Sequence, residues 1–84
     1  MRHTVDPDFW ELFERLPKRI RTLARKNFEL LKSNPRHPSL HFKPIGDHWS
    51  VRVGRDYRAV CERTGSGCLW FWIGSHKEYD ELLK

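Results

Sequence analysis

His48-Trp49-Ser50-Val51-Arg52-Val53, then Gly54-Arg55-Asp56, then Tyr57-Arg58-Ala59-Val60-Cys61-Glu62: this stretch decides the fold. In the first run Trp49, Val51 and Val53 fall on one side, and Ser50 and Arg52 on the other. A period of two marks a strand with one face turned to a core. Gly54-Arg55-Asp56 has turn chemistry, so Tyr57 to Glu62 is expected to return as the second strand of a hairpin. The stretch thus predicts a sheet with one apolar face and one that carries cations.

Downstream, Thr64-Gly65-Ser66-Gly67 reads as the next turn. Leu69-Trp70-Phe71-Trp72-Ile73 is apolar on both faces, which suits a central strand. Ser75-His76-Lys77-Glu78 has Ser at the N-cap and Glu at N3, a capping box that opens a short last helix through Tyr79, Leu82 and Leu83. Upstream, Leu40-His41-Phe42-Lys43-Pro44-Ile45 reads as a strand, at an edge or ending early because Pro44 has no N–H to give. Gly46-Asp47 is its turn.

Before residue 38 the period becomes helical. Asp6 can cap and Pro7 suits a first helical position, with Asp8 and Glu11 in the early turns. Phe9, Leu12, Phe13 and Leu16 then recur at i, i+3, i+4 and i+7, which is one helix face. Pro17 ends that run and can begin a second helix reaching Ser33. Its apolar stripe is Ile20, Leu23, Ala24, Phe28 and Leu31, and Lys18, Arg21, Arg25 and Lys32 form a basic stripe opposite. Asn34-Pro35 stops it. Residues 2–5 fit a short strand. The expected fold is α+β, one domain over residues 1–84. An N-terminal helical hairpin packs on one face of a small antiparallel meander sheet of three or four strands, with a short C-terminal helix.

At 84 residues there is room for one domain only. No apolar run approaches the roughly 18 residues that cross a bilayer, and 13% aromatic residues are too many for a disordered chain. Sixteen Lys and Arg against eleven Asp and Glu give a net charge of +5. That charge is unevenly spread: residues 1–14 hold one basic and four acidic residues, and residues 15–63 hold thirteen basic and four acidic. A basic middle segment suits a polyanion, nucleic acid above all, although a merely solvated surface has the same composition. Cys61 and Cys68 are too few for a disulfide scaffold; they flank a turn, as free thiols or facing each other. Met1 to Asp6 lacks the apolar segment of a signal peptide, so a cytoplasmic protein is expected.

Chemistry is expected on the open face of the sheet. Arg52 and Arg58, on adjacent strands, can share that side, with Arg55 at the turn and Lys43 on the strand before. Such a cluster neutralises phosphate and stabilises the charge that builds on phosphorus during transfer. The plainer reading pairs Arg52 and Arg58 with Glu62 and Asp56. His76 and Tyr79 lie three apart at the start of the last helix, next to Lys77, where the helix N-terminus adds positive potential. A histidine can move protons near neutral pH, and a tyrosine can stack on a base; equally, Tyr79 can be core and His76 solvated. His37 and His41 are four apart, but Pro38 argues against a helix there, and no Cys or carboxylate cluster completes a metal site. Phosphate-loop, GxSxG, HExxH and zinc-finger spacings are lacking, so no cofactor and no metal is expected.

The sequence resembles the RelE/ParE toxin superfamily of bacterial toxin–antitoxin systems. The likeness is carried by Phe13-Glu14-Arg15-Leu16-Pro17, the basic second helix ending in Asn34-Pro35, Phe42-Lys43, Trp49 to Val60, and Ile73-Gly74-Ser75-His76-Lys77-Glu78-Tyr79. The resemblance implies two helices on an antiparallel sheet and, in many members, a metal-independent ribonuclease that cuts mRNA on the ribosome. There the 2′-hydroxyl attacks the adjacent phosphate and leaves a 2′,3′-cyclic end. By that likeness Lys43, Arg52 and Arg58 match basic positions of the family, Arg58 a phosphate-contacting one. His76 and Tyr79 fall where members carry Arg, His or Tyr. The family's lysine-rich strand and its Glu–His–Tyr set are not reproduced in full. The ParE branch implies the alternative, a DNA gyrase poison without nuclease chemistry, and the incomplete catalytic set leaves an inactive, basic nucleic-acid-binding member as a further one. Either branch implies a cognate antitoxin protein as partner.

Overall fold

A computed structural model describes residues 1–83. The elements are β1 (Arg2–Val5), α1 (Pro7–Glu14), α2 (Lys18–Ser33), β2 (Lys43–Ile45), β3 (His48–Val53), β4 (Tyr57–Thr64), β5 (Gly67–Ser75) and α3 (His76–Leu82). The sheet has five strands in the order β1-β5-β4-β3-β2. The α+β class holds, with one correction: β1 pairs parallel to β5, so the sheet is mixed and wider than a meander of three or four strands. The parallel pairing needs close backbone approach. A Cβ at Gly67 would lie 1.7 Å from the Arg2 carbonyl oxygen, so only glycine fits there.

A second correction concerns residues 38–42. Pro38–Leu40 is a turn of 3₁₀-helix, capped by the His37 ring, whose Nδ1 accepts from Ser39 N at 3.2 Å. His41 then takes a left-handed backbone conformation, φ 46°. The strand therefore begins at Lys43. The turn carries Leu40 into full burial, which an edge strand would not do. Pro44 is tolerated because β2 is the outer strand.

The helices form as their sequence dictates. Asp6 accepts from Asp8 N at 2.8 Å, with Pro7 at N1. The short link between α1 and α2 is tied by Arg21 Nη1, which donates to the Leu16 carbonyl at 2.7 Å. Helix α1 packs on β5 and α2 on β3. Between them lies an apolar cavity of about 120 Å³, reaching Phe13, Phe28 and Trp70. The core comprises Phe13, Leu16, Ile20, Leu31 and Leu40 against Val51, Val53, Ala59, Trp70 and Ile73. An irregularity in the β4–β5 register near Cys61 lets Ile73 pair with Ala59 and Trp70 with Cys61, so both reach the helix side although they are an odd number of positions apart. This is why the run Leu69–Ile73 does not alternate.

The opposite face carries Ser50 and Arg52 of β3 and Arg58 and Val60 of β4, aligned as Ser50 with Val60 and Arg52 with Arg58. Helix α3 returns over this face. Its capping box is complete: Glu78 N donates to Ser75 Oγ at 3.1 Å, and Ser75 N donates to Glu78 Oε1 at 3.0 Å. Those hydrogen bonds hold the Glu78 carboxyl below its ordinary range. A backbone bond from His76 N to the Asp56 carbonyl, 2.7 Å, ties the start of α3 to the hairpin turn. None of the helices described is long and apolar enough to cross a membrane.

Candidate functional site: a buried arginine under the last helix

Arg58 is the centre of the open face. The residue is buried, at 7% exposure. One amino group, Nη2, donates to Ser50 Oγ at 3.2 Å, and the flat face of the group lies 5.1 Å from the Tyr79 ring centroid. Tyr79, also buried, donates its hydroxyl to the same Ser50 Oγ at 3.3 Å. Arg58 Nε is buried with no partner. Among the described residues no carboxylate forms an ion pair with it. The expected pairing with Asp56 or Glu62 is therefore not what the fold builds.

A buried guanidinium without a counter-ion is costly, because arginine cannot escape burial by losing its proton. One neutral hydroxyl and one aromatic face offset only part of that cost. The positive charge and the unused Nε–H are what an anion would satisfy, and a phosphate oxygen is matched to that fork. Tyr79 stands over the site. The helix that carries it is short and rests on the sheet by that one buried residue.

The other candidate residues are less buried than this centre. His76 meets the Tyr79 ring edge-on, with 5.7 Å between centroids, and its Nδ1 lies 3.3 Å from an Asp80 carboxylate oxygen. His76 thus touches Tyr79, and Tyr79 touches both Ser50 and Arg58. Tyr79 is packed and His76 is exposed, as the plainer reading has it, and the two rings are in contact. Arg52 is half-buried and turned along the hairpin: its Nε donates to the Gly54 carbonyl at 3.1 Å, and Nη1 is 3.3 Å from His41 Nε2. Arg52 and Arg58 are direct cross-strand partners. Like charges so placed repel, and each guanidinium finds its contacts away from the other. Lys43, Arg55 and Lys77 are exposed. Lys43 is in register with Ser50, while Arg55 and Lys77 make none of the contacts described at the centre.

Three participants were not legible in advance. Ser50 is fully buried and accepts from both Arg58 and Tyr79. The only signal was a small hydroxyl on the polar side of an alternating strand. Trp72 packs on Tyr79 at 6.4 Å between centroids, one of the rings that made the last strand apolar on both faces. His41 reaches Arg52 through a left-handed turn that no spacing rule announces. Among the described residues no three His, Cys, Asp or Glu side chains are grouped to hold a metal ion.

Two helices on one face of a mixed sheet, with a cationic opposite face under a short C-terminal helix, define a small toxin fold. A family model, the ParE-like toxin domain, matches residues 18–81. The chain belongs to the ParE-like toxin domain family, within the RelE/ParE superfamily that its motifs resemble. Three solved structures share the fold. A chain of the RelB–RelE antitoxin–toxin complex from Methanococcus jannaschii is 20% identical with a TM-score of 0.76, over 96% of this chain and 99% of that one. The isolated E. coli RelE toxin is 15% identical with a TM-score of 0.63, over 96% and 93%. A YoeB/ParE toxin from Agrobacterium tumefaciens is 21% identical with a TM-score of 0.61, over 83% and 90%. No curated protein matches the sequence.

Proposed function

We propose that this protein is the toxin of a toxin–antitoxin pair and that it stops translation by cutting mRNA on the ribosome without a metal. The observation that carries the reading is Arg58, a buried guanidinium with an unpartnered Nε and no carboxylate. In this mechanism Arg58 and Arg52 hold the scissile phosphate. The 2′-hydroxyl attacks phosphorus, the bond to the 5′-oxygen breaks, and a 2′,3′-cyclic phosphate forms. The proton leaves the 2′-hydroxyl and one is returned to the 5′-oxygen; His76, at the mouth of the site, serves as donor or acceptor. Tyr79 orients or stacks a base, so it must turn away from Arg58 as substrate enters. Lys43, Arg55 and Lys77 raise the surrounding potential. The ribosome supplies alignment, so free RNA is cut poorly. An antitoxin neutralises the protein by covering the basic face or the helical hairpin, folding as it binds.

The second reading is a non-nuclease poison of DNA gyrase. It is favoured by the family model, which is the ParE-like one, and by the seal that Tyr79 makes over Arg58.

The test is pulse labelling after induction in a bacterium, following methionine and thymidine incorporation together, for the native chain and for Arg58→Ala and His76→Ala. The ribonuclease reading expects methionine incorporation to fall first and both variants to lose toxicity while remaining folded. Thymidine falling first, with His76→Ala still toxic, establishes the gyrase reading instead. A folded, still toxic Arg58→Ala overturns the assignment of the site.

A further inference from the structure

The fold gathers three sulfur atoms that the sequence keeps apart. Cys61 on β4 pairs across with Trp70, and Cys68 on β5 pairs across with Arg63. The two thiols are therefore diagonal neighbours on the helix-covered face. Both side chains belong to the buried core on that face, and Cys68 Sγ donates to Met1 Sδ at 3.4 Å. Both cysteines are free and almost wholly buried, at 0% and 1% exposure, whereas Met1 is 59% exposed. Two buried thiols thus share a face of the hairpin, and the thioether in contact with one of them belongs to an exposed residue.

We propose that Cys61, Cys68 and Met1 form a binding site for a soft monovalent cation, Cu(I) or Ag(I), held by two thiolates and one thioether.

The donor set decides the ion. Thiolate and thioether sulfur select Cu(I) over harder cations. Zinc asks for four donors in a tetrahedron, usually Cys, His or carboxylate, and no third such residue among those described joins the two cysteines. Both cysteines are free thiols, the form in which an ion can take them. A metal–thiolate bond of about 2.3 Å puts two sulfurs of a trigonal site roughly 4 Å apart, a small change from the Met1–Cys68 contact.

The charges balance around the cluster. Burial pushes the Cys61 thiol up, and the Arg63 guanidinium opposes that shift. On binding, one cation enters and two thiol protons leave to solvent, so the site carries one negative charge beside Arg63. Affinity must therefore rise with pH. The bound ion joins the residue just before β1 to the β4–β5 hairpin, so it should stabilise the fold by linkage.

The experiment is an anaerobic titration of the full chain with Ag(I), and with Cu(I) delivered from a competing chelator. Native mass spectrometry, the thiolate-to-metal absorption band and proton release are followed together. One ion per chain, two protons released and a raised Tm are expected. Cys61→Ser and Cys68→Ser should each weaken binding by at least about 100-fold, above the 10–100-fold that outer-shell changes produce. Cys61→Ala serves if serine at that buried position prevents folding. Met1 is the single methionine of the chain, so selenomethionine labelling places one selenium at the site, and a copper–selenium distance in X-ray absorption identifies the third donor. Binding no tighter than the chelator overturns the proposal. So does binding that survives loss of both cysteines, binding without copper–selenium contact, or Zn(II) held as tightly as Cu(I).

Discussion

On the helix-covered face of the sheet, Val51, Val53, Ala59, Trp70 and Ile73 are buried against Phe13, Leu31 and Leu40. On the opposite face Ser50 and Arg58 are buried as deeply, under a helix anchored by one tyrosine. The first face removes apolar area from water and repeats the alternating pattern of its strands. The second places a charge where charge is expensive and leaves one of its donors unused. Burial on the first face stabilises the fold; burial on the second is tolerated, and what it preserves is a positive charge shielded from water.

The largest effect that separates the faces is a pair of substitutions. Leu40→Ala, at a fully buried position, is expected to cost about 2–5 kcal/mol, a large part of the roughly 5–15 kcal/mol that holds a small domain together. Arg58→Met removes a buried charge at similar volume and is expected to be neutral or stabilising by about 1–4 kcal/mol, while abolishing anion binding. Urea denaturation of the two variants checks this. Comparable losses of stability in both would mean that Arg58 is core, and the contrast between the faces would collapse.

Ser50→Ala sharpens the same contrast at smaller amplitude. It leaves Arg58 Nη2 and the Tyr79 hydroxyl without their shared acceptor, at an expected cost of about 1–3 kcal/mol. Adding Tyr79→Phe removes one of the stranded donors, so the double variant should be more stable than the two losses summed. Strict additivity in that cycle would show that Ser50 does not couple the two side chains.

The helix-covered face was legible because period-two and period-3.6 patterns report apolar burial directly. Trp49, Val51 and Val53, and Phe9, Phe13 and Ile20, needed no knowledge of partners. The parallel pairing of β1 was not legible: four residues carry no orientation signal, and its register depends on a glycine 65 residues away in the chain. The 3₁₀ turn at Pro38–Leu40 hid inside what read as a strand because Leu40 and Phe42 alternate. On the open face alternation placed Arg52 and Arg58 on one side, but it could not show the surroundings of Arg58, which is organised by Ser50 and by a tyrosine on α3. Polar contacts between elements have no periodicity, so sequence gives the candidates and the fold decides which of them meet.

The cap of α3 comes next in size. Ser75→Ala removes the acceptor for Glu78 N and the hydroxyl that assists the Ser75 backbone N–H, the larger cause, in holding the Glu78 carboxyl below its usual range, at about 1 kcal/mol. Because the folded state depresses that carboxyl, its contribution is complete above the ordinary value of 4.5 and is lost as pH falls through the folded value. Protection of the α3 amides, measured against the intrinsic exchange rate at each pH, should therefore fall on acidification below that range in the native chain, and should already be reduced at neutral pH in Ser75→Ala. Unchanged exchange in the variant would mean that Tyr79 alone holds the helix, making the seal over Arg58 a matter of packing.

The smallest effect lies on the other face, at His3. Its ring sits against Phe28 and Trp70, and its Nδ1 accepts from Trp70 Nε1 at 3.0 Å. Burial first, then the N-terminal ammonium, Lys32 and Arg63, lower its pKa below the ordinary 6.5. The unfolded chain thus takes up this proton before the folded one. The stability contributed by neutral His3 is complete above 6.5, declines as pH falls through that value, and stops changing below the folded value. Partial exposure keeps the whole effect under about 1 kcal/mol, or a few degrees in Tm at most. His3→Gln keeps a polar side chain without the titration, so the drop in Tm between pH 7.5 and 5.5 should shrink relative to the native chain. Here a polar contact on the apolar face behaves oppositely to Arg58: His3 can remain neutral and fit its surroundings, whereas Arg58 cannot. An undiminished drop in His3→Gln would place the acid sensitivity elsewhere and remove that distinction between the two faces.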